Sequence, residues 1–190
     1  TYQVECIASE PYQFDSGKWN QWCERAEATP IPGVIDFIKS CRENGVAIRY
    51  VTNRGNDIRG VTLDNLKKYG LVPDDESAEL ELLCKGDQPE WGSDKTSRRN
   101  FVAKQFRVVA LIGDDLNDFL WAGEKSTPQQ RVVSATSVNT MWGTRWFLLP
   151  NANYGGWEKS LTEYQNGLTR ETYIEMKRNS LSNAEPAGTK

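Results

Sequence analysis

Asp114, Asp115 and Asp118 stand close together in Arg107–Phe119, RVVALIGDDLNDF, directly behind an apolar run, Val108-Val109-Ala110-Leu111-Ile112, that Gly113 closes. Two carboxylates aimed at one point repel each other unless a cation lies between them. Mg²⁺ is the expected cation, because it takes one or two carboxylates and completes its shell with water and phosphate oxygens. Acidic residues are also favoured at a helix N-terminus, so capping explains the same three residues without a metal. Thr52 and Asn53 offer a hydroxyl and an amide, and Lys95 offers a cation at a helix start. Hydrogen-bond donors, a cation and a metal carboxylate are the parts that stabilise a transferring phosphoryl group. A nucleophile is missing from this set. Asp115 adjoins the metal carboxylate, and Asp94 stands at a capping position before the Lys95 helix. The chain has no His, which removes Ser-His and Cys-His nucleophiles and the common zinc sites. Acid–base chemistry must then rest on Asp, Glu, Lys or Tyr. Cys6, Cys23, Cys41 and Cys84 form no C-x-x-C pair. Cys41 continues an apolar helix face and reads as core.

The elements around these residues alternate. The run 108–112 reads as a strand buried on both faces, hence part of a parallel sheet covered by helices. Ligands bind outside the carboxyl ends of such strands, which is where the Asp cluster falls, with a helix expected from about Leu116. Val46–Val51 reads as a second strand ending at the polar turn Thr52-Asn53-Arg54-Gly55, and Arg145–Leu149 as a third, ending at Pro150-Asn151-Ala152-Asn153-Tyr154. Ala78–Cys84 reads as a strand near the sheet edge, with a helix left open. Helices are expected from Gly33 to Asn44-Gly45, over 57–69, 94–106, 127–141 and 158–179, before a polar tail, 180–190. Residues 1–30 are aromatic-rich, with Tyr2, Tyr12, Phe14, Trp19 and Trp22 punctuated by Pro11. Trp19 and Trp22 would share a helix face, either stapling a helix to a core or facing a substrate. The alternation predicts a doubly wound α/β sheet.

A chain of 190 residues suits one domain, or one with a cap. Such a chain buries roughly 70% of its unfolded surface and needs no disulfides to hold a core. The net charge of −3, with 26% charged residues, leaves no basic footprint for nucleic acid. No apolar window is long enough to span a membrane, and no signal peptide is visible.

VTNR (51–54), DKTSRR (94–99), GDDLNDF (113–119) and LPNANYGGW (149–157) occur in the order that resembles the haloacid dehalogenase superfamily. More narrowly, the chain resembles the class C acid phosphatases, bacterial outer-membrane lipoproteins that act as 5′-nucleotidases. The similarity runs from Tyr2 to about Leu161. It implies a HAD-like, Rossmann-like core over 33–157, with a small helical cap segment over 1–32 and a helical segment with its tail over 158–190. It implies Mg²⁺ as cofactor and nucleoside monophosphates as substrates, hydrolysed through an aspartyl-phosphate. Thr52 and Asn53 match the phosphoryl-contacting motif, with Arg54 beside them as a substrate-binding residue. Lys95 matches the lysine that neutralises the phosphoaspartate. Asp114 matches the direct metal ligand, and Asp118 the carboxylate that holds metal-bound water. Trp22 and Tyr154 resemble the aromatics that sandwich a nucleoside base. The resemblance also implies a periplasmic or outer-membrane location, with any lipid anchor outside these residues, and allows a homodimer. One motif departs: the family's first strand ends in D-x-D-E-T and carries the nucleophile, and no D-x-D occurs in the 190 residues. Thr1-Tyr2-Gln3 matches the segment after that motif, so the first strand is expected to be missing and the chain alone inactive. A non-catalytic phosphate- or nucleotide-binding protein on the same scaffold is the alternative.

Overall fold

The computed structural model describes Tyr2 and residues 15–152, 154–165 and 167–182. Cys6, Pro11, Tyr12, Phe14, Asn153 and the end of the tail therefore lie outside the described residues. The chain divides into two compact units, with the boundary between Arg107 and Val108.

In the first unit, Asp15 caps helix α1 (Ser16–Glu24) by accepting the Lys18 amide at 2.8 Å. Helix α2 (Val34–Glu43) follows Gly33 and stops at Asn44-Gly45, where the Val46 amide returns to the Cys41 carbonyl. Strand β1 (Tyr50–Gly55) starts four residues later than the expected Val46. Its register explains the shift: Tyr50 pairs with Leu82 and Val51 with Leu83, in parallel. Thr52 and Asn53 thus belong to the strand and not to a turn beyond it. A short 3-10 turn, Asn56–Ile58, leads into α3 (Arg59–Lys68), and Gly70 closes that helix at φ 65°.

The expected strand 78–84 divides into a helical turn, α4 (Ala78–Glu81), and strand β2 (Leu82–Lys85). Here the apolar pattern misleads, because Leu80 is 72% exposed while Glu81 is buried. Arg42 explains the inversion. Its guanidinium holds both Glu81 oxygens, at 2.7 and 2.6 Å, and such forked pairs are the strong ones. Leu63, Val72, Ala78, Leu82 and Cys84 form the core, with Tyr50 and Leu66 against it. Helix α5 (Thr96–Gln105) completes this unit.

In the second unit, β3 (Leu111–Gly113) pairs in parallel with β4 (Trp146–Leu148). Both strands are shorter than expected. The expected burial of the apolar run on both faces is not observed, since Val109 is 44% and Ile112 47% exposed. The cause is the pairing: among the described residues the sheets are two-stranded, β1–β2 and β3–β4. In place of a helix from Leu116 stands a 3-10 turn, Leu116–Asp118. Helix α6 (Pro128–Ser137) begins at a capping box of Thr127 and Gln130 and ends sooner than expected, before a 3-10 turn, Asn139–Met141. The expected helix 158–179 is two, α7 (Gly156–Leu161) and α8 (Arg170–Ser182). Glu163 and Tyr164, at φ 51° and 58°, interrupt it in a conformation that L-residues avoid. Phe119 anchors this unit's core against the Trp142 and Trp146 rings, at 5.0 and 5.7 Å. Cys23 and Cys84 are buried free thiols, and Cys41, expected in the core, is a half-buried one. No helix among the described residues is long and apolar enough to cross a membrane.

Candidate active site

The first unit carries Thr52, Asn53, Arg54, Lys95 and Trp22. The Thr52 hydroxyl oxygen accepts the Arg54 amide at 3.1 Å, which fixes the side chain near the end of β1. Asn53 is tied at both ends of its amide. Its Nδ2 donates to the Ser93 carbonyl at 3.0 Å, and its Oδ1 accepts from Arg98 at 2.6 Å. Asn53 thereby joins β1 to the loop that precedes α5. Lys95 caps α5, and its carbonyl accepts the Arg99 amide. Asp94, expected at the cap, stands one residue before it, and its Oδ1 takes the Thr96 amide and hydroxyl at 2.8 and 2.7 Å.

Trp19 and Trp22 share a face of α1 and stack, with centroids 5.5 Å apart and planes 23° from parallel. Tyr2 meets the Trp19 ring edge-on at 5.1 Å. The Arg54 guanidinium lies 5.6 and 5.9 Å from the two indole centroids, within cation–π range. Two residues assigned to substrate from sequence, Trp22 and Arg54, are therefore in contact with each other. Trp19 belongs to the same group.

The second unit carries Asp114, Asp115, Asp118 and Tyr154. Asp118 folds back on its own loop, where its Oδ2 accepts the amides of Asp114 and Asp115 at 3.0 and 3.1 Å. Only glycine fits at position 113, because a Cβ there would stand 2.5 Å from Asp118. The Asp114 carboxylate is held from the β4 side by Asn151 Nδ2 at 2.6 Å. Tyr154 is 41% exposed and its amide donates to Asn151 Oδ1 at 3.3 Å; burial, then the Asp114 charge, pushes its phenol up to about 12.

Asp115, set aside in the sequence because it adjoins the metal carboxylate, ties the two loops together. It caps the 3-10 turn through the Asn117 amide at 2.9 Å and accepts the Gly156 amide at 2.6 Å. Both its oxygens also face the buried Arg131, at 3.2 and 3.3 Å. Gly155 and Gly156 make room for this, because a Cβ would stand 2.8 Å from Asp115 at the first and 2.6 Å from Arg131 at the second. Arg98 and Arg131 were missed in the sequence. Arginines at helical positions read as solvated surface, and only the glycine pair 155–156 signalled a close approach.

Asp114 and Asn151 lie beyond the carboxyl ends of paired parallel strands, and no group of three or more metal-type side chains occurs among the described residues. A single presented carboxylate suits a cation that keeps water and substrate oxygens in its shell, as Mg²⁺ does. A closed protein cage of the structural-zinc kind is not built among the described residues.

The model of HAD superfamily subfamily IIIB, acid phosphatase, matches residues 2–157. The chain belongs to that family. Its members are phosphomonoester hydrolases, and the chain shares their α/β fold of parallel strands and helices. The class C acid phosphatase of Bacillus anthracis is similar in structure, with a TM-score of 0.76 and 26% identity over 93% of this chain and 70% of that one. The same enzyme with tungstate bound gives a TM-score of 0.78 and 26% identity over 97% and 73%. The four sequence motifs thus fall inside, or end at the edge of, the matched region.

Proposed function

We propose that this acid phosphatase acts on nucleoside 5′-monophosphates and related phosphomonoesters with Mg²⁺ as cofactor. The observation that carries the reading is the Asp114 carboxylate, held by Asn151 at the strand exits with Asp118 braced on the amides behind it. When bound there, Mg²⁺ supplies positive charge to the phosphoryl oxygens. The chain's own residues do the rest. By the family resemblance, Thr52 donates its hydroxyl to a phosphoryl oxygen and Lys95 contributes a positive charge, while Asn53 keeps the strand end in place. The stacked Trp19–Trp22 pair under Arg54 offers a flat π-face of the kind that binds any base. The family resemblance alone assigns Tyr154 as the second aromatic.

The attacking carboxylate is not Asp114, Asp115 or Asp118, because each already has a structural or metal role. The aspartyl-phosphate route implied by the family takes its nucleophile from a D-x-D motif, and the 190 residues contain none. The chain alone is therefore expected to bind phosphate without turnover. Periplasmic or outer-membrane placement and a homodimer are proposals that rest on the family resemblance alone. The test is Mg²⁺-dependent hydrolysis of a nucleoside monophosphate by the purified chain. Negligible release of phosphate is expected. A rate near 1 s⁻¹, inside the ordinary enzyme range of about 1–10³ s⁻¹, would place the nucleophile within these residues and overturn this assignment.

A further inference from the structure

Arg98 is fully buried, at 0% exposure, yet no carboxylate forms an ion pair with it among the described residues. Its three acceptors are neutral oxygens. Nη1 donates to the Thr52 carbonyl, and Nη2 to Asn53 Oδ1 at 2.6 Å and to the Gly92 carbonyl at 2.7 Å. Its Nε is buried without an acceptor. Burial accordingly pulls its pKa below the usual guanidinium value. The carboxylates that influence it are committed elsewhere: Asp87 pairs with Arg59 at 2.7 Å and takes the Cys84 amide, and Asp94 takes the Thr96 amide and hydroxyl. Arg99, on the next position of α5, adds positive charge and not compensation.

A buried guanidinium without a counter-ion is costly, and its field is little screened in a dry interior. This one sits directly behind Thr52 and Asn53, bonded to the backbone of the first and the side chain of the second. We propose that Arg98 is the fixed positive charge behind the phosphate subsite, a positioning residue that makes the Thr52 end of β1 select doubly charged phosphate. This rests on the assignment of Thr52 to phosphate given above. The fork also locks that strand end to the Gly92–Ser93 loop, and Asn53 Nδ2 closes the same link from the other side. Charge and geometry are thus separable in principle: lysine keeps the cation without the fork, and glutamine keeps donors without the cation.

The test is calorimetric titration of the 190-residue chain with inorganic phosphate, alongside the phosphate-induced rise in melting temperature, for wild type, R98Q, R98K and T52A. The induced rise is read relative to each variant's own baseline, so lost stability alone does not change it. R98Q is expected to bind phosphate about tenfold more weakly or worse, the scale of a nearby cation at an effective dielectric near 20. R98K is expected to recover at least half of that loss in log Kd. Wild-type affinity in R98Q would overturn the proposal, as would equal weakness in R98K and R98Q, which would leave only the fork. T52A separates the two levels. If T52A binds as wild type does, or the wild type binds no phosphate, the parent assignment fails and this one with it. If T52A is weak while R98Q is unaffected, Arg98 alone is refuted.

Discussion

Replacing Arg131 by Met removes the cation that faces both oxygens of Asp115. The side chains are 8% and 17% exposed, so the pair is close to fully buried. Breaking such a pair from one side costs about 3–5 kcal/mol, because the remaining charge loses its compensation. Asp115 keeps two amide donors, Asn117 at 2.9 Å and Gly156 at 2.6 Å, which places R131M near the lower end, about 3 kcal/mol. For a chain of this length that is a fall of roughly 6 °C or more in Tm. Urea unfolding of R131M, D115N and the double variant is the assay. D115N removes the charge that Arg131 answers, so the double variant should be less destabilised than the sum of the singles by more than about 1 kcal/mol. A loss below about 0.5 kcal/mol in R131M, the range of ordinary surface changes, would refute the buried pair. Additive losses would show that the two residues act independently.

W22A should weaken nucleotide binding by about 1–3 kcal/mol, the scale of base–aromatic stacking, and leave inorganic phosphate affinity unchanged; equal losses in titrations of both would make the Trp19–Trp22 stack structural only. The Tyr50 phenol donates to the Leu71 carbonyl at 2.6 Å, and burial pushes it up to about 12. Its unfolded value is near 10, so the contribution is intact below about pH 10 and is lost as pH rises towards 12. Denaturation midpoints should fall over that window, and Y50F should remove part of the fall; identical slopes would count against a buried phenol. The remaining alkaline loss in Y50F is assigned to Cys84, whose thiol burial pushes up to about 11, with Tyr154 and Cys23, which burial also raises.

Legibility in the sequence followed the range of the interactions involved. Helix ends set by local chemistry, such as Gly33, Asn44-Gly45 and Thr127 with Gln130, were readable because their determinants lie within a few residues. Strand limits were not, because the partner strand decides them: β1 begins at Tyr50 because Leu82 pairs there. Glu81, inside the expected strand 78–84, is buried because Arg42, far away in the chain, reaches it. Thr52, Lys95 and Asp114 were proposed from local motifs, whose chemistry is stated by residue type. Arg98 and Arg131 could not, since nothing in a run such as SRRN says which arginine turns inward. The structural role of Asp115 was hidden for the same reason, since it depends on Arg131 and on the Gly156 amide.

The most direct test of the account is a Mg²⁺ titration of the 190-residue chain and of D114N, in the presence of inorganic phosphate, followed by calorimetry. Removing the presented carboxylate should weaken Mg²⁺ binding at least tenfold, about 1.4 kcal/mol, while unfolding stays cooperative. Mg²⁺ binding of undiminished strength in a folded D114N would contradict Asp114 as the metal carboxylate, and with it the proposed site.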